Sequence, residues 1–371
     1  MKRIYEEKSL FITIIVAIAY LIFGHSWLSD LSNTLFISSQ FVIIFGAMLI
    51  SSFGVVKHAD MLAIKLGEPY GTLILTLSVI CIEVIAIVAV MLTGEYNPTL
   101  GRDMMFSVIM IVLNGIIGLS LLIGGIKFIQ QTFNLQGANT YLSIIITLVI
   151  ISMILPNYTV ATEAGTFSPP QTIFIIIITL GLYFLFLMMQ SLRHKDFFMS
   201  PIHDDNIKES DHHGESLYST SYHSLMLLAY MIPIVILSKK LAIIINHGIS
   251  VAHLPVALGG LIVAILVLAP EGLAAIRAAL QNQIQRSINI CLGSALATIA
   301  LTVPTVLIIG LITSKAVILG LNGVDAIMLL VTILVSIVNM SSGRSNVIQG
   351  TIHLILFALY LMLLFDYPIT S

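Results

Sequence analysis

Two of the 18 acidic residues stand where a bare charge is costly. Glu83 lies in the run YGTLILTLSVICIEVIAIVAVML, about 13 residues from its start, hence roughly 20 Å deep at ~1.5 Å per helical residue. Glu271 lies similarly deep in LGGLIVAILVLAPEGLAAIRAAL. A carboxylate at bilayer depth costs several kcal/mol unless it is paired, hydrated or protonated. No Lys or Arg lies near Glu83 in sequence, and Arg277, beyond Glu271, falls toward a helix end. The two acids are therefore expected to face each other or a shared wet cavity. A proton or a cation would satisfy the pair, and the bare ionised state is the costly one. Competition of cation and proton for the same oxygens is the chemistry of exchange. Cementing helices together is the bland alternative, but Ser or Asn suffices for that.

Further oxygens lie on neighbouring runs. Pro270 precedes Glu271 and cannot donate a backbone hydrogen bond, so a carbonyl one turn earlier is freed. Ser78 comes little more than a turn before Glu83. One following run carries Ser107, Asn114 and Ser120, and its counterpart carries Ser294, Thr298, Thr302 and Pro304. Aligned from Arg102 and Arg286, Asn114 falls opposite Thr298. The candidate cation and proton ligands are Glu83, Glu271, Asn114, Thr298, Ser294 and Ser78, with Glu83 and Glu271 as the direct metal ligands. Such a donor set suits hard cations such as calcium or sodium rather than copper or zinc. Ser and Thr in membrane helices also bond their own backbone, which is the alternative role for each. His353, with the Met and Phe stripes, is assigned to packing.

The elements holding these residues follow from composition. Of 371 residues, 58% are hydrophobic and 9% charged, with a mean hydropathy of +1.06. A soluble protein carries roughly a quarter of its residues as Asp, Glu, Lys or Arg. A water-soluble globule, a disordered chain and a secreted disulfide scaffold are all excluded, leaving one polytopic body of membrane helices. The net charge of −2 gives no sign of a nucleic-acid partner. Cys81 and Cys291 are expected to be buried small hydrophobes. Residues 1–24 have the charge pattern of a signal peptide but no small-residue cleavage site, and are expected to be a first span.

Runs long enough to cross a bilayer fall at 9–24, 34–56, 70–93, 104–130, 139–157, 171–192, 222–238, 254–280, 287–312, 324–340 and 346–365, making eleven candidate spans in an all-α fold. With alternating spans, twelve Lys and Arg fall on one side and four on the other, Arg102, Lys239, Lys240 and Lys315. Basic loops face the cytoplasm, so the amino terminus is expected inside and the carboxyl terminus outside. The polar stretch RHKDFFMSPIHDDNIKESDHHGESLYSTS divides the chain. The organisation expected is an extra helix at 1–33, a five-helix repeat at 34–192, an acidic His-rich cytoplasmic loop at 193–221 and a second five-helix repeat at 222–371. The loop's histidines and acids fit a metal or pH sensor, or a solvated linker without fixed ligand spacing. Glu83 and Glu271 each stand in the second span of a half. Five is odd, so the halves enter the membrane oppositely, the inverted-repeat plan of secondary transporters with mid-membrane sites.

The chain resembles the calcium/cation antiporter superfamily, and within it the bacterial ChaA-type proton antiporters. The resemblance is densest in HADMLAIKLGEPYGTLILTLSVICIEV (58–84), LAPEGLAAIRAALQNQIQRSINICLGSALATIALTVP (268–304) and SSGRSNVIQGTIHL (341–354). It implies an inverted-repeat fold in a bacterial plasma membrane, exporting calcium, sodium or potassium in exchange for protons. The family's two repeat-motif glutamates map onto Glu83 and Glu271. Calcium/proton exchangers usually carry Gly-Asn-Ala before or around each glutamate. Here Val79-Ile80-Cys81-Ile82 and Val267-Leu268-Ala269-Pro270 stand there, leaving fewer oxygens for calcium, which takes six to eight.

No cofactor is expected beyond the transported ions and protons. An intramembrane enzyme would need a nucleophile with its base or a metal-binding Asp or His cluster, and none is visible in the spans. A passive cation channel would need rings of ligands. Two acids in opposed halves of one chain fit alternating access better.

Overall fold

The computed structural model describes residues 7–66, 70–93, 97–201, 218–255 and 257–366. Each of the eleven apolar runs is helical: α1 (Lys8–Ile22), α2 (Thr34–Leu66), α3 (Tyr70–Thr93), α4 (Leu100–Phe128), α5 (Leu135–Tyr158), α6 (Pro169–Arg193), α7 (Thr220–Val251), α8 (Ala257–Leu280), α9 (Ile284–Thr313), α10 (Gly323–Met340) and α11 (Val347–Leu364). Among the described residues, nine of these helices are long and apolar enough to cross a membrane; α1, with 15 residues, is shorter. Two ends differ from the sequence expectation. The helix of α2 runs through Lys57 and Lys65 to Leu66, and α7 passes Lys239 and Lys240 to reach Val251. Hydropathy marks where lipid ends, whereas a helix of good formers continues into water. The long Lys stems also let the chain stay helical while the charge moves outward; the Lys240 stem packs beside Gly24.

Starts are set by local chemistry. Ser168 and Gln171 form a reciprocal cap ahead of Pro169, and Asn346 and Gln349 do the same for α11. The Asn134 and Asn322 side chains accept from the first free N–H groups of α5 and α10. Leu21, Phe184 and Val338 are exposed on the outer helices, as a lipid-facing surface requires. The opposite holds for α9, where every residue from Ser287 to Ala300 is buried. A helix covered on every side belongs in the centre.

The halves are related by exchange. Helix α3 packs on α9 and, correspondingly, α8 on α4; α2 packs on α8 and α7 on α3; α4 packs on α11 and α9 on α6. The loops repeat the relation at opposite ends. After α4, Gln131 pairs with Ser345 and Thr132 with Arg344 in a two-stranded antiparallel ribbon (β1, Gln131–Thr132; β2, Arg344–Ser345) ahead of α11. After α9, the Leu319 and Gly320 N–H groups both donate to the Gly165 carbonyl, 2.8 and 3.0 Å away, ahead of α6. Helix α1 lies outside this relation, packed on α2 and α7.

Close approach of α4 and α11 needs Gly350. A Cβ there would meet the Leu122 backbone N–H and lie 2.7 Å from the Gly118 carbonyl oxygen. Neither is a side chain that can turn aside. Gly350→Val is expected to lower the melting temperature of the detergent-solubilised protein by several degrees, consistent with ~1–3 kcal/mol of overpacking. Gly181→Ala, where an added Cβ meets nothing within 4 Å, should leave it unchanged.

Candidate cation site

The centre of α9 carries hydroxyls at intervals of four residues, Ser294, Thr298 and Thr302, so all three fall on one face. Glu271 reaches this face from α8 and Glu83 from α3. The Ser294 hydroxyl donates to Glu271 Oε2 at 2.6 Å. The Thr298 hydroxyl donates to Glu83 Oε2 at 2.7 Å, and Thr302 to Glu83 Oε1 at 3.5 Å. Anchors one turn apart lie roughly 6 Å from each other, so the two carboxylates are held side by side along one helix. Glu83 is 1% exposed and Glu271 2%.

Their charge is not matched by a base among the described residues: the ion pairs of Glu7 with Lys57 and His58, and of Arg102 with Asp103, involve neither glutamate. Glu271 Oε1 is buried and has no hydrogen-bond partner among the described residues. A buried carboxylate oxygen without a donor is a high-energy arrangement unless a proton or cation occupies it. Each hydroxyl that donates to a carboxylate keeps lone pairs for a cation. Pro270 inside α8 adds to the acceptors, because the Leu266 carbonyl loses its helical partner.

The other expected ligands lie elsewhere. Ser78 is buried on α3, but five residues before Glu83 puts it about 140° round the helix. Asn114 is fully buried where α4 widens into a π-helical turn, Met110–Ile116. Its amide donates to the Thr332 hydroxyl of α10 at 2.8 Å, and its Oδ1 lies 3.1 Å from His353 Nδ1 of α11. His353 is therefore a polar partner of Asn114 as well as a packing residue. Thr302 is the addition, legible only as the third member of the four-residue spacing. Cys291 is buried, whereas Cys81 is exposed, since it sits two residues from Glu83 on the far side of α3. In the central polar loop, residues 202–217, with His203, His212 and His213, lie outside the described residues. Among the described residues no group of three His, Cys, Asp or Glu is placed to hold a metal ion.

Two exchange-related halves of membrane helices around buried carboxylates are the plan of inverted-repeat secondary transporters. The family model for the sodium/calcium exchanger protein matches residues 36–192 and 222–365, and the chain belongs to that family. It is 38% identical to the sodium-potassium/proton antiporter ChaA of Escherichia coli strain K12 over 366 residues, 98% of each chain. It is 25% identical to the Ca(2+)/H(+) antiporter ChaA of Bacillus subtilis strain 168 over 239 residues, 63% of this chain and 66% of that one. The fold is that of native YfkE, with a TM-score of 0.73 at 18% identity, covering 96% of this chain and all of the other. The protein is thus a multi-pass membrane antiporter by fold and family.

Thr298→Val keeps shape and removes the donor to Glu83. A hydrogen bond to a charged group contributes about 1.5–3 kcal/mol, so the apparent affinity for the preferred cation should weaken about 10-fold or more. Thr305→Val removes a hydroxyl that donates only to the Leu301 carbonyl, at 2.7 Å, and should change affinity less than about 2-fold.

Proposed function

We propose that the protein exports cytoplasmic monovalent cations, sodium foremost, in exchange for protons by alternating access, with Glu83 and Glu271 binding cation or proton in turn. The observation that carries this reading is the buried, base-free pair hung on one helix face, with Glu271 Oε1 lacking any donor. Protons neutralise the pair in one half of the cycle and a cation does so in the other. The empty ionised pair pays the full desolvation cost of crossing, and this couples the two fluxes. Burial of both acids and of α9 around them also favours an occluded carrier over an open channel.

Two carboxylates, three hydroxyls and the Leu266 carbonyl reach calcium's ligand number only if nearly all of their oxygens turn to one ion, and this favours sodium in our reading. Calcium takes six to eight oxygens. The two carboxylates have Ser294, Thr298 and Thr302 beside them, while the Asn114 amide is committed to Thr332 and His353. The name of the Escherichia coli relative, a sodium-potassium/proton antiporter, supports the same reading; that of the Bacillus subtilis relative keeps calcium as the rival. The membrane proposed is the bacterial plasma membrane, with the amino terminus and the central loop cytoplasmic and the carboxyl terminus outside.

Everted vesicles energised to an acid interior, with ΔpH followed by a fluorescent amine, test this. Sodium added outside should dissipate ΔpH at a lower concentration than potassium or calcium. Glu83→Gln and Glu271→Gln should each abolish the response in correctly inserted protein. Full exchange by both variants would refute the mechanism, and a calcium response at the lowest concentration would refute the sodium assignment.

A further inference from the structure

A second buried titratable cluster lies apart from the hydrogen bonds of the glutamate pair, where α1 begins, toward the end of α2 and at the start of α7. Glu7 precedes α1. Its Oε2 accepts from the Tyr230 hydroxyl at 2.7 Å and lies 3.3 Å from His58 Nε2. Its Oε1 accepts from the Tyr222 hydroxyl at 3.3 Å and from Lys57 Nζ at 3.5 Å. His58, on α2, places Nδ1 at 3.0 Å from Nδ1 of His223, on α7. Glu7, His58 and His223 are 5%, 1% and 4% exposed. His223 Nε2 is buried without a hydrogen-bond partner. Among the described residues, Ser9 bonds Tyr230 at 2.6 Å, Lys65 donates to the Tyr218 carbonyl, and the Tyr218 ring lies 6.3 Å from that of His223. Burial opposes ionisation of Glu7, but Tyr230, His58 and Lys57 outweigh it and hold the carboxyl below its usual range.

Proton counting fixes what this joint can do. An ionised carboxylate only accepts, so His58 Nε2 carries a hydrogen. The bond between the two Nδ1 atoms needs one hydrogen. It survives when both rings are neutral, with His223 donating, and when one proton is added to either ring. A second added proton puts a hydrogen on both Nδ1 atoms. The bond is then replaced by two opposed N–H groups on two positive rings.

We propose that Glu7, His58 and His223 form a proton site distinct from the transported-ion site, joining α2 to α7 until both imidazoles are charged. Helices α2 and α7 both pack on α3, which carries Glu83, and α2 also packs on α8, which carries Glu271. Acid at this end therefore loosens the support of the carboxylate pair, and exchange falls. Two buried imidazoles held 3.0 Å apart take their second proton only in acid, so the joint responds to acid at this end independently of the glutamates. Only the transport arm of the test rests on the antiport reading.

The full-length protein, labelled at histidine and reconstituted in lipid nanodiscs, is titrated by NMR, with ring signals assigned through His58→Gln and His223→Gln. The two rings should take up protons in separate steps, and removing His223 should shift the His58 midpoint by about one pH unit. Glu7→Gln, which keeps the hydrogen-bonding shape, should move uptake by the pair toward acid pH by a similar amount. In vesicles, exchange by the wild type should fall about 5-fold or more as the cytoplasmic face goes from about pH 8 to about pH 5.5. His223→Gln, which bridges to His58 without taking a proton, should lose most of that fall. Independent titration of the two rings, or an unchanged acid limb in His223→Gln and Glu7→Gln, overturns the proposal. Absence of exchange in the wild type at every pH would overturn the antiport reading and leave the ring titration as the judge of the site.

Discussion

A carboxylate oxygen in a low-dielectric interior has to be neutralised, and Glu271 Oε1 finds no hydrogen-bond partner among the described residues. The rest of the architecture follows from keeping that debt open without losing the fold. Glu271 receives a hydroxyl on one oxygen and Glu83 one short and one long hydroxyl contact, enough to fix their rotamers, and neither pairs with a Lys or Arg among the described residues. A resident Lys or Arg would satisfy the pair permanently and leave nothing for an ion or a proton to exchange. Hydroxyls hold without competing, because they can donate to an ionised carboxylate and still offer lone pairs to whatever sits between the two.

Holding both acids on one helix face places demands on α9. It must be central, since α3 and α8 approach it from the two halves, and burial of every residue from Ser287 to Ala300 meets this. The exchange of the halves also gives the structure two equivalent ends. The ribbon of Gln131–Thr132 with Arg344–Ser345 ties α4 to α11 at one end, and the Gly165 carbonyl ties the segment after α9 to the one before α6 at the other. Both ties lie outside the glutamate layer, so the middle of the bundle is held by side-chain packing and those few hydroxyls.

Much of this was legible in the chain itself. Glu83 and Glu271 stood out because burial depth can be read from an apolar run, and the eleven runs were visible for the same reason. Ser294 and Thr298 followed from proximity on one helix. Depth, however, carries no azimuth. Ser78 and Asn114 were chosen for being deep and oxygen-bearing, yet the first lies well round α3 from Glu83 and the second bonds Thr332 and His353. The π-helical turn at Met110–Ile116 adds to this, because it shifts the register of everything around Asn114. The ends of α2 and α7 were misjudged for a different reason: lysines mark the edge of lipid and not the end of a helix. The contact between His58 and His223 spans 165 positions, and no local pattern could announce it.

The fate of Asn114 bears on which ion the site accepts. An amide oxygen turned toward the carboxylates would add a neutral, strongly coordinating ligand, the kind calcium needs to replace its hydration shell. In this chain Thr332 takes the amide N–H and His353 faces the oxygen, so the amide is satisfied by its neighbours on α10 and α11. Freeing it would leave buried partners on both helices unpaired, at about 1–3 kcal/mol for each group stranded. On the proposed reading, the last helix pair thereby withholds one neutral oxygen from an ion at the glutamates.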